Sequence, residues 1–182
     1  MEAYDLGILY GIGGLQHPWL DPVMIGITRL GDVWTMVGVV VAAMAVLRGS
    51  GRRREAWAML FAGVAVALLD GGAKFWVGRA RPDVATLLVE MPKWPSFPSG
   101  HAMGGLALYG LLGWIAGRRS SPRGLRVSFG LGLALGVLIG FSRVYVGTHY
   151  PLDVLAGWIG GAAILLFAMK AAGPLARDGE DG

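Results

Sequence analysis

Long apolar segments separated by basic linkers are the feature that most restricts how this chain folds. Five stretches approach the roughly 20 apolar residues that a helix needs to cross a membrane. Only 15% of the 182 residues are charged, against about 25% in an ordinary soluble domain. The pattern therefore predicts an integral membrane protein. The predicted spans cover residues 28–47, 56–78, 99–117, 127–146 and 152–172.

The domain organisation follows from where these spans lie. We predict an all-α fold, a polytopic membrane helical bundle of five to six transmembrane helices. Residues 28–172 are predicted to form the membrane domain, and residues 173–182 a cytoplasmic tail. Residues 1–27 are mildly apolar and are interrupted by glycines and Pro18, which indicates an N-terminal interfacial or re-entrant segment. A sixth span within this segment is the alternative.

Two ladders of glycines spaced four residues apart predict helices that approach each other closely. The ladders consist of Gly132, Gly136 and Gly140, and of Gly157 and Gly161. Small residues at this spacing let membrane helices come into backbone contact. The contacts are predicted within one bundle or between two copies, so the oligomeric state is left open. The chain has no cysteine, which excludes disulfide and thiolate chemistry.

The charge of the linkers predicts how the chain is oriented. Arginines concentrate in residues 48–54 and 118–126, and positive residues favour the cytoplasmic side of a membrane. These linkers and the C-terminus are therefore predicted to be cytoplasmic, in a protein integral to the cell membrane. Loops 79–98 and 147–151 are then extracytoplasmic. The same rule explains the net charge of +4, so no nucleic-acid partner is predicted.

Polar residues from three separate stretches meet at the extracytoplasmic ends of the predicted spans. Ionisable groups at membrane depth are costly and usually functional. Lysine and arginine near helix ends also extend to the interface for structural reasons alone, so each residue singly has an ordinary explanation. The convergence of three stretches favours a functional site. Its members are Lys74, Arg79, Arg81, Ser99, His101, Arg143, His149 and Asp153.

Three cations in this set predict an anion site. Arg81 and Arg143 have the planar fork that matches phosphate oxygens, and Lys74 adds a point charge. Ser99 is placed to cap the N-terminus of the third span, where free N–H groups favour an anion. Gly100 would let a ligand approach the backbone closely. The sequence therefore predicts a phosphate-binding site at this helix start.

The two histidines add the chemistry of phosphoryl transfer. The Asp153 carboxylate, four residues after His149 and on the same face if the helix begins nearby, would fix the imidazole tautomer and leave one nitrogen free to attack. His101 is then placed to protonate a leaving oxygen. The spacing also permits a metal ion, but the surrounding cations favour an anion. We therefore predict neither a metal nor a cofactor.

Supporting residues are predicted around this site. Asp70 lies four residues before the predicted phosphate-binding lysine, which suits either pairing with it or a polar contact within the bundle. Asp32 is predicted to pair with Arg79 or Arg29 in the same way. Pro98 directly precedes the capping serine and is a second supporting candidate.

Three motifs together resemble the signature of the type 2 phosphatidic acid phosphatase family. They are KFWVGRARP (residues 74–82), PSGH (98–101) and SRVYVGTHYPLD (142–153). The family pattern is K-x6-RP, then PSGH, then SR-x5-H-x3-D, and this chain matches it in full and in order. The motifs cover residues 74–153, and the helix pattern extends the resemblance over roughly 28–172.

The resemblance implies a fold and a reaction. The fold would be a helical bundle whose core is shared with vanadium haloperoxidases. The reaction would be metal-independent hydrolysis of a phosphate ester or anhydride through a phosphohistidine. By position, His149 would be the nucleophile, Asp153 its orienting partner and His101 the general acid. The residues that would bind the phosphate are Lys74, Arg81, Ser99, Gly100 and Arg143.

A lipid phosphate is the expected substrate, because the site lies at the level of the headgroups. Undecaprenyl diphosphate, hydrolysed to undecaprenyl phosphate, is the first choice among the family's substrates. Phosphatidylglycerol phosphate, phosphatidic acid and a lipid A phosphate are the alternatives. A non-enzymatic anion or lipid transporter is a further reading, although transporters more often show internal repeats and broken helices. Besides the substrate, membrane lipids are the expected partners.

Overall fold

The computed structural model describes residues 2–84 and 87–173, and every regular element within these ranges is a helix. The prediction of an all-α fold is confirmed for this part of the chain. The predicted tail, residues 173–182, lies outside the described residues from position 174 onward. The helices are α1 (Glu2–Gly13), α2 (Asp21–Arg29), α3 (Val33–Gly49), α4 (Arg53–Val77), α5 (Gly100–Gly104), α6 (Gly110–Gly117), α7 (Pro122–Tyr145) and α8 (Pro151–Ala172).

Three of these helices, α4, α7 and α8, are individually long and apolar enough to cross a membrane. They correspond to the predicted spans 56–78, 127–146 and 152–172. Helices α2 and α3 give a fourth candidate if they are taken as one span, but they are bent by 52° at the break between them. The predicted span 28–47 runs across this bend. A count of five to six spans is not confirmed by these helices and stays a prediction.

The predicted third span, residues 99–117, is a continuous helical rod that widens in its middle. Helices α5 and α6 are joined by a π-helical turn, Gly105–Tyr109, whose residues are all buried. The turn packs against α7 and α8. Turns of this kind are frequent at functional sites, and this one directly follows the short α5 helix that carries His101.

Glycines of α7 and α8 allow backbone contact with the α5–α6 rod. A Cβ atom added at Gly136 would lie 2.6 Å from the Cα atom of Leu106. A Cβ atom at Gly157 would lie 2.6 Å from the carbonyl oxygen of Ser99. Larger side chains would hold these helices apart. The predicted glycine ladders therefore pack within the chain, and they bring the N-terminal half of α8 against Ser99.

Two helix boundaries direct the chain at the polar end of the bundle. Helix α4 ends at Val77 and is capped by Gly78, whose φ of +59° lies in the left-handed region that favours glycine. The chain reverses there and carries Arg79 back toward the other helices. Helix α8 begins with Pro151 in its first turn, and the backbone N–H of Tyr150 donates to the Asp153 carboxylate at 3.1 Å. These boundaries place Arg79 and Asp153 side by side.

The opposite end of α4 holds a buried ionic cluster. Glu55 is 5% exposed and accepts two hydrogen bonds of 3.0 Å from the Arg52 guanidinium. Arg118 lies 3.4 Å from the same carboxylate. The two predicted basic linkers therefore meet at one end of the bundle. The rise of the helix puts this cluster about 30 Å from the polar end.

Helix α1 connects the N-terminal segment to the same polar end. It packs against α7 and α8. Asp5 is 2% exposed, and its carboxylate accepts a hydrogen bond of 3.0 Å from the backbone N–H of Leu152. The helix is thus anchored to the first turn of α8, whereas the predicted interfacial position of residues 1–27 stays a prediction.

Candidate active site

A cavity of about 500 Å³ runs between α3 and α4 and reaches the end of α4 that carries Gly78. The structure brings most of the predicted site residues to its wall. Ser99 and Asp153 lie behind this wall, both with 0% exposure. The residues of the predicted site that line the cavity are Asp70, Lys74, Arg81, Gly100, His101, Arg143 and His149.

His149 belongs to the loop between α7 and α8 rather than to a helix. Helix α8 begins at Pro151, two residues after the histidine, so the helix starts close to His149, as the expected pairing with Asp153 required, although the histidine itself precedes it. The loop turns at Gly147, whose φ of +82° favours glycine. It is held by the backbone N–H groups of Thr148 and His149, which both donate to the carbonyl oxygen of Arg143, at 3.1 and 3.3 Å.

Asp153 nevertheless reaches the imidazole of His149. Its Oδ2 atom lies 3.6 Å from Nδ1 of the histidine. The hydroxyl of Ser96 lies beside both groups, since it donates to Oδ2 of Asp153 and lies 3.4 Å from Nδ1 of His149. Arg79 donates to the other carboxylate oxygen at 2.6 Å. The carboxylate is therefore held from several directions, with the imidazole on one side.

The environment of His149 keeps its imidazole neutral. Burial lowers its pKa to about 3, and the charges of Arg143 and Arg81 act in the same direction. The Asp153 carboxylate opposes them without restoring the ordinary value. Nε2, the nitrogen away from Asp153, lies 3.2 Å from Nη1 of Arg81. A neutral imidazole with Nδ1 facing a carboxylate has its nucleophilic nitrogen at Nε2.

Arg81 spans the mouth of the cavity. Its guanidinium donates to the carbonyl oxygens of Trp94 and Thr148, both at 2.7 Å. Burial lowers its pKa from the ordinary arginine value, while the carboxylates of Asp153 and Asp70 oppose that shift. The side chain stays cationic, because an arginine guanidinium does not lose its proton in proteins. Its anchored position puts a fixed positive charge beside Nε2 of His149.

Arg143 and Lys74 provide the other two cations. Arg143 is 4% exposed and donates through Nη1 to the Thr28 hydroxyl at 2.7 Å, while its buried Nε atom has no partner among the described residues. Lys74 donates to the carbonyl oxygen of Pro98 at 2.9 Å and to the Asp70 carboxylate. The spacing of four residues that suggested an Asp70–Lys74 pair is thus reflected in a direct contact.

The start of α5 forms the floor between these cations. The Ser99 hydroxyl accepts a hydrogen bond of 3.4 Å from the backbone N–H of Ala102 and so caps the helix. Gly100 lines the cavity. A Cβ atom added there would lie 2.8 to 2.9 Å from the carboxyl group of Asp70. Glycine at this position therefore leaves room for Asp70, a reason that the sequence pattern did not reveal.

Asp32 and Arg79 have partners that differ from the predicted ones. Asp32 lies 3.0 Å from Nε2 of His101 and makes no hydrogen bond or ion pair with either predicted arginine among the described residues. Arg79 binds Asp5 at 2.7 Å in addition to Asp153. Burial opposes the charge of Arg79, but these two carboxylates outweigh it and raise its pKa.

Sequence reasoning missed two residues close to the predicted catalytic group: Ser96, which contacts Asp153 and His149, and Asp5, which is linked to Asp153 through Arg79. Ser96 has no distinguishing mark except that it lies three residues before Ser99. Asp5 is far from every motif and carries no local signal. In addition, no group of three or more acidic or histidine side chains able to hold a metal ion occurs in residues 2–84 and 87–173.

Comparison with known proteins identifies the family of this chain. A model of the PAP2 superfamily matches residues 55–176. Phosphatidylglycerophosphatase B of Bacillus subtilis (strain 168) is 33% identical over 161 residues, which cover 86% of this chain and 76% of that protein. An undecaprenyl-diphosphatase of Sulfolobus acidocaldarius is 29% identical over 168 residues, which cover 89% of this chain and 76% of that protein.

A solved structure gives the same result. The crystal structure of a transmembrane PAP2-type phosphatidylglycerolphosphate phosphatase from Bacillus subtilis matches with a TM-score of 0.81 at 27% identity. The match covers 97% of this chain and 89% of that chain. Fold and site thus define a helical integral membrane phosphatase. The chain belongs to the PAP2 superfamily of membrane lipid phosphatases, as its three motifs indicated.

Proposed function

We propose that this enzyme hydrolyses undecaprenyl diphosphate to undecaprenyl phosphate at the extracytoplasmic face of the cell membrane, through a phosphohistidine at His149. The observation that carries the proposal is one cavity with two different ends. One end is lined by cations, and the other is an apolar groove between α3 and α4. A phosphate group joined to a long apolar chain would occupy both ends at once.

The polar end supports the binding of a phosphate group. A buried N–H group without an acceptor is costly, and Nε of Arg143 is such a group. A phosphate oxygen would supply the missing acceptor. Lys74 and Arg81 line the same cavity and would neutralise the remaining phosphate charge. This arrangement favours an anion with several oxygens over a single small ion.

The apolar groove supports a lipid chain as the other part of the substrate. Its walls include Val37 and Val41 from α3 and Val64 and Ala67 from α4. Val41 is 60% exposed and Val64 is 48% exposed, so the groove is open along its length. An acyl or polyprenyl chain would cover these side chains and continue into the surrounding bilayer.

The first chemical step follows from the geometry of the two histidines. Nε2 of His149 would attack the terminal phosphorus atom, and a P–N bond would form as the P–O bond to the leaving group breaks. His101 would give a proton to the departing oxygen. The Asp153 carboxylate would offset the positive charge on the phosphorylated imidazole. The three cations would stabilise the charge on the phosphoryl oxygens, the expected main source of the rate.

The second step would release phosphate. His101, now neutral, would accept a proton from a water molecule as that water attacks the phosphohistidine. The P–N bond would break, inorganic phosphate would leave, and His149 would return to its neutral form. No metal ion takes part in either step, so the proposal requires an activity that survives a chelator.

A second candidate substrate is phosphatidylglycerol phosphate. The similarity to phosphatidylglycerophosphatase B and to the solved phosphatidylglycerolphosphate phosphatase favours it. The same residues would act, but the leaving group would be an alkoxide rather than a phosphate. An alkoxide is a poorer leaving group, so this reaction would depend more strongly on proton donation by His101.

The extracytoplasmic placement of the site rests on charge. The linkers that contain Arg52 and Arg118 meet around Glu55, at the end of α4 opposite to the cavity. Positive linkers favour the cytoplasmic side, so the cavity would open on the other side. A cysteine introduced at exposed Asp83 and labelled from outside intact cells would support this orientation, whereas labelling only after permeabilisation would reverse it.

Phosphate release from a panel of lipids tests the proposal. The purified protein in mild detergent with EDTA is given undecaprenyl diphosphate, phosphatidylglycerol phosphate, phosphatidic acid and a lipid A phosphate. His149→Ala should abolish release, whereas His17→Ala, at an exposed histidine outside the cavity, should not. The highest kcat/KM identifies the substrate. Release that EDTA abolishes, or that persists in His149→Ala, would contradict the mechanism, and anion flux without release would favour the transporter.

A further inference from the structure

We infer that Asp32 is a positioning residue that orients His101 and stabilises its protonated form for donation to the leaving group. The inference rests on the proposed function, because it assigns a partner to the proposed general acid. Oδ1 of Asp32 lies 3.0 Å from Nε2 of His101. Asp32 belongs to the turn between α2 and α3, far in sequence from the three motifs.

The turn that carries Asp32 is fixed against the site. The hydroxyl of Tyr109, in the π-helical turn, donates to the carbonyl oxygen of Leu30 at 2.7 Å. Gly31 lies directly on the imidazole, since a Cβ atom there would be 2.7 Å from Cδ2 of His101. The carboxylate is therefore not an incidental neighbour, because the backbone on its N-terminal side is held from two directions.

The contact determines which nitrogen of His101 donates. With Nε2 engaged by Asp32, Nδ1 is the nitrogen left to face a phosphate ester. A carboxylate on one nitrogen selects the tautomer and favours the imidazolium, as in other aspartate–histidine pairs. When the P–O bond of the substrate breaks, the Nδ1 proton moves to the leaving oxygen. The neutral imidazole then retains its Nε2 proton in the hydrogen bond to Asp32 and accepts a new proton at Nδ1 from the attacking water.

The charges around His101 make such a partner necessary. Arg143 and Lys74 both disfavour a second positive charge nearby. The Asp70 carboxylate is engaged by Lys74, which leaves Asp32 as the carboxylate in contact with His101 among the described residues. The charged groups near this imidazole or its partner are Asp32 and Arg29 from the α2–α3 region, Lys74 and Asp70 from α4, and Arg143 from α7.

Leaving groups of different basicity separate this role from a structural one. Dodecyl phosphate releases a strongly basic alkoxide that requires a proton, whereas p-nitrophenyl phosphate releases a stable phenolate that does not. Asp32→Asn keeps the size of the side chain and removes its charge. We expect kcat for dodecyl phosphate to fall more than about tenfold, with little change for p-nitrophenyl phosphate. The alkaline limb of the pH profile for dodecyl phosphate should move to lower pH.

Two further variants complete the experiment. Asp32→Glu should recover part of the lost rate, and Asp83→Asn, at an exposed carboxylate, should behave as wild type. Equal losses on both substrates, or an unchanged pH profile, would overturn the inference. Wild-type protein that releases phosphate from neither substrate nor from the lipid panel would instead overturn the proposed function. Thermal unfolding in detergent confirms that each variant is folded.

Discussion

Nη1 of Arg79 lies 2.6 Å from Oδ1 of Asp153, so an arginine outside the proposed phosphate-binding set neutralises the carboxylate beside His149. The same guanidinium binds Asp5 of α1 at 2.7 Å and lies 4.0 Å from the centre of the Tyr150 ring. The N-terminal helix is therefore part of the electrostatic support of the site.

Asp5→Asn should destabilise the protein through this connection. Asp5 is 2% exposed, and removing one partner of a buried ion pair costs about 3 kcal/mol. We expect a clear fall in the thermal midpoint measured in detergent, with Asp83→Asn as the matched control at an exposed position. An unchanged midpoint would mean that α1 does not stabilise the fold through Arg79.

Ser96→Ala should reduce turnover while leaving the fold intact. The Ser96 hydroxyl donates to Asp153 and lies 3.4 Å from Nδ1 of His149, and a hydrogen bond of this kind contributes about 1 kcal/mol. Because the geometry of the imidazole depends on it, we expect kcat for phosphate release to fall about fivefold to tenfold. Ser50→Ala changes an exposed serine far from the cavity and should have no effect. Wild-type turnover in Ser96→Ala would show that Asp153 orients His149 without help.

Ala67→Phe should discriminate against long chains. Ala67 lines the apolar groove, and a phenyl ring there would occupy space that the proposal gives to the lipid chain. We expect kcat/KM for a long-chain lipid phosphate to fall by about tenfold, as for loss of a few buried methylene contacts, and activity on p-nitrophenyl phosphate to persist. Leu68→Phe, at the adjacent position outside the groove, is the control. Equal effects on both substrates would indicate that the lipid chain of the substrate does not bind in this groove.

The buried imidazole of His149 should make the fold sensitive to acid. Its pKa of about 3 in the folded protein lies below the ordinary value of 6.5. Between these values the unfolded chain binds a proton that the folded chain does not, so stability falls as the pH decreases through this window. We expect the thermal midpoint to drop less between pH 7 and pH 5 in His149→Gln than in wild type. An identical drop in both proteins would contradict the low pKa.

The contacts that the sequence predicted join residues close together along the chain, whereas the contacts that it missed join residues far apart along the chain. Lys74 and Asp70 are four residues apart on one helix, and side chains at this spacing lie next to each other. The three motifs also begin or end helices, so their residues were expected at one end of the bundle. These features depend on residues close together in the sequence, so they can be recognised from a single amino-acid sequence.

The missed contacts depend on tertiary structure. Asp32 and His101 are brought together by the close approach of Gly31 to the imidazole, which no spacing in the sequence reports. Ser96 reaches Asp153 because α8 packs on the start of α5 at Gly157. The position of His149 just before a helix was legible locally, since Pro151 starts α8 two residues later.

The groove between α3 and α4 is open on one side, and under the proposed function this opening would determine how the enzyme meets its substrate. A lipid phosphate whose chain enters through that opening arrives by lateral diffusion within the micelle or bilayer, without passing through water. Its effective concentration is then a mole fraction in the micelle or bilayer, not an amount per volume of buffer. Added inert detergent should therefore slow the reaction by surface dilution at constant total substrate, and KM is best expressed as a mole fraction of substrate in the micelle or bilayer.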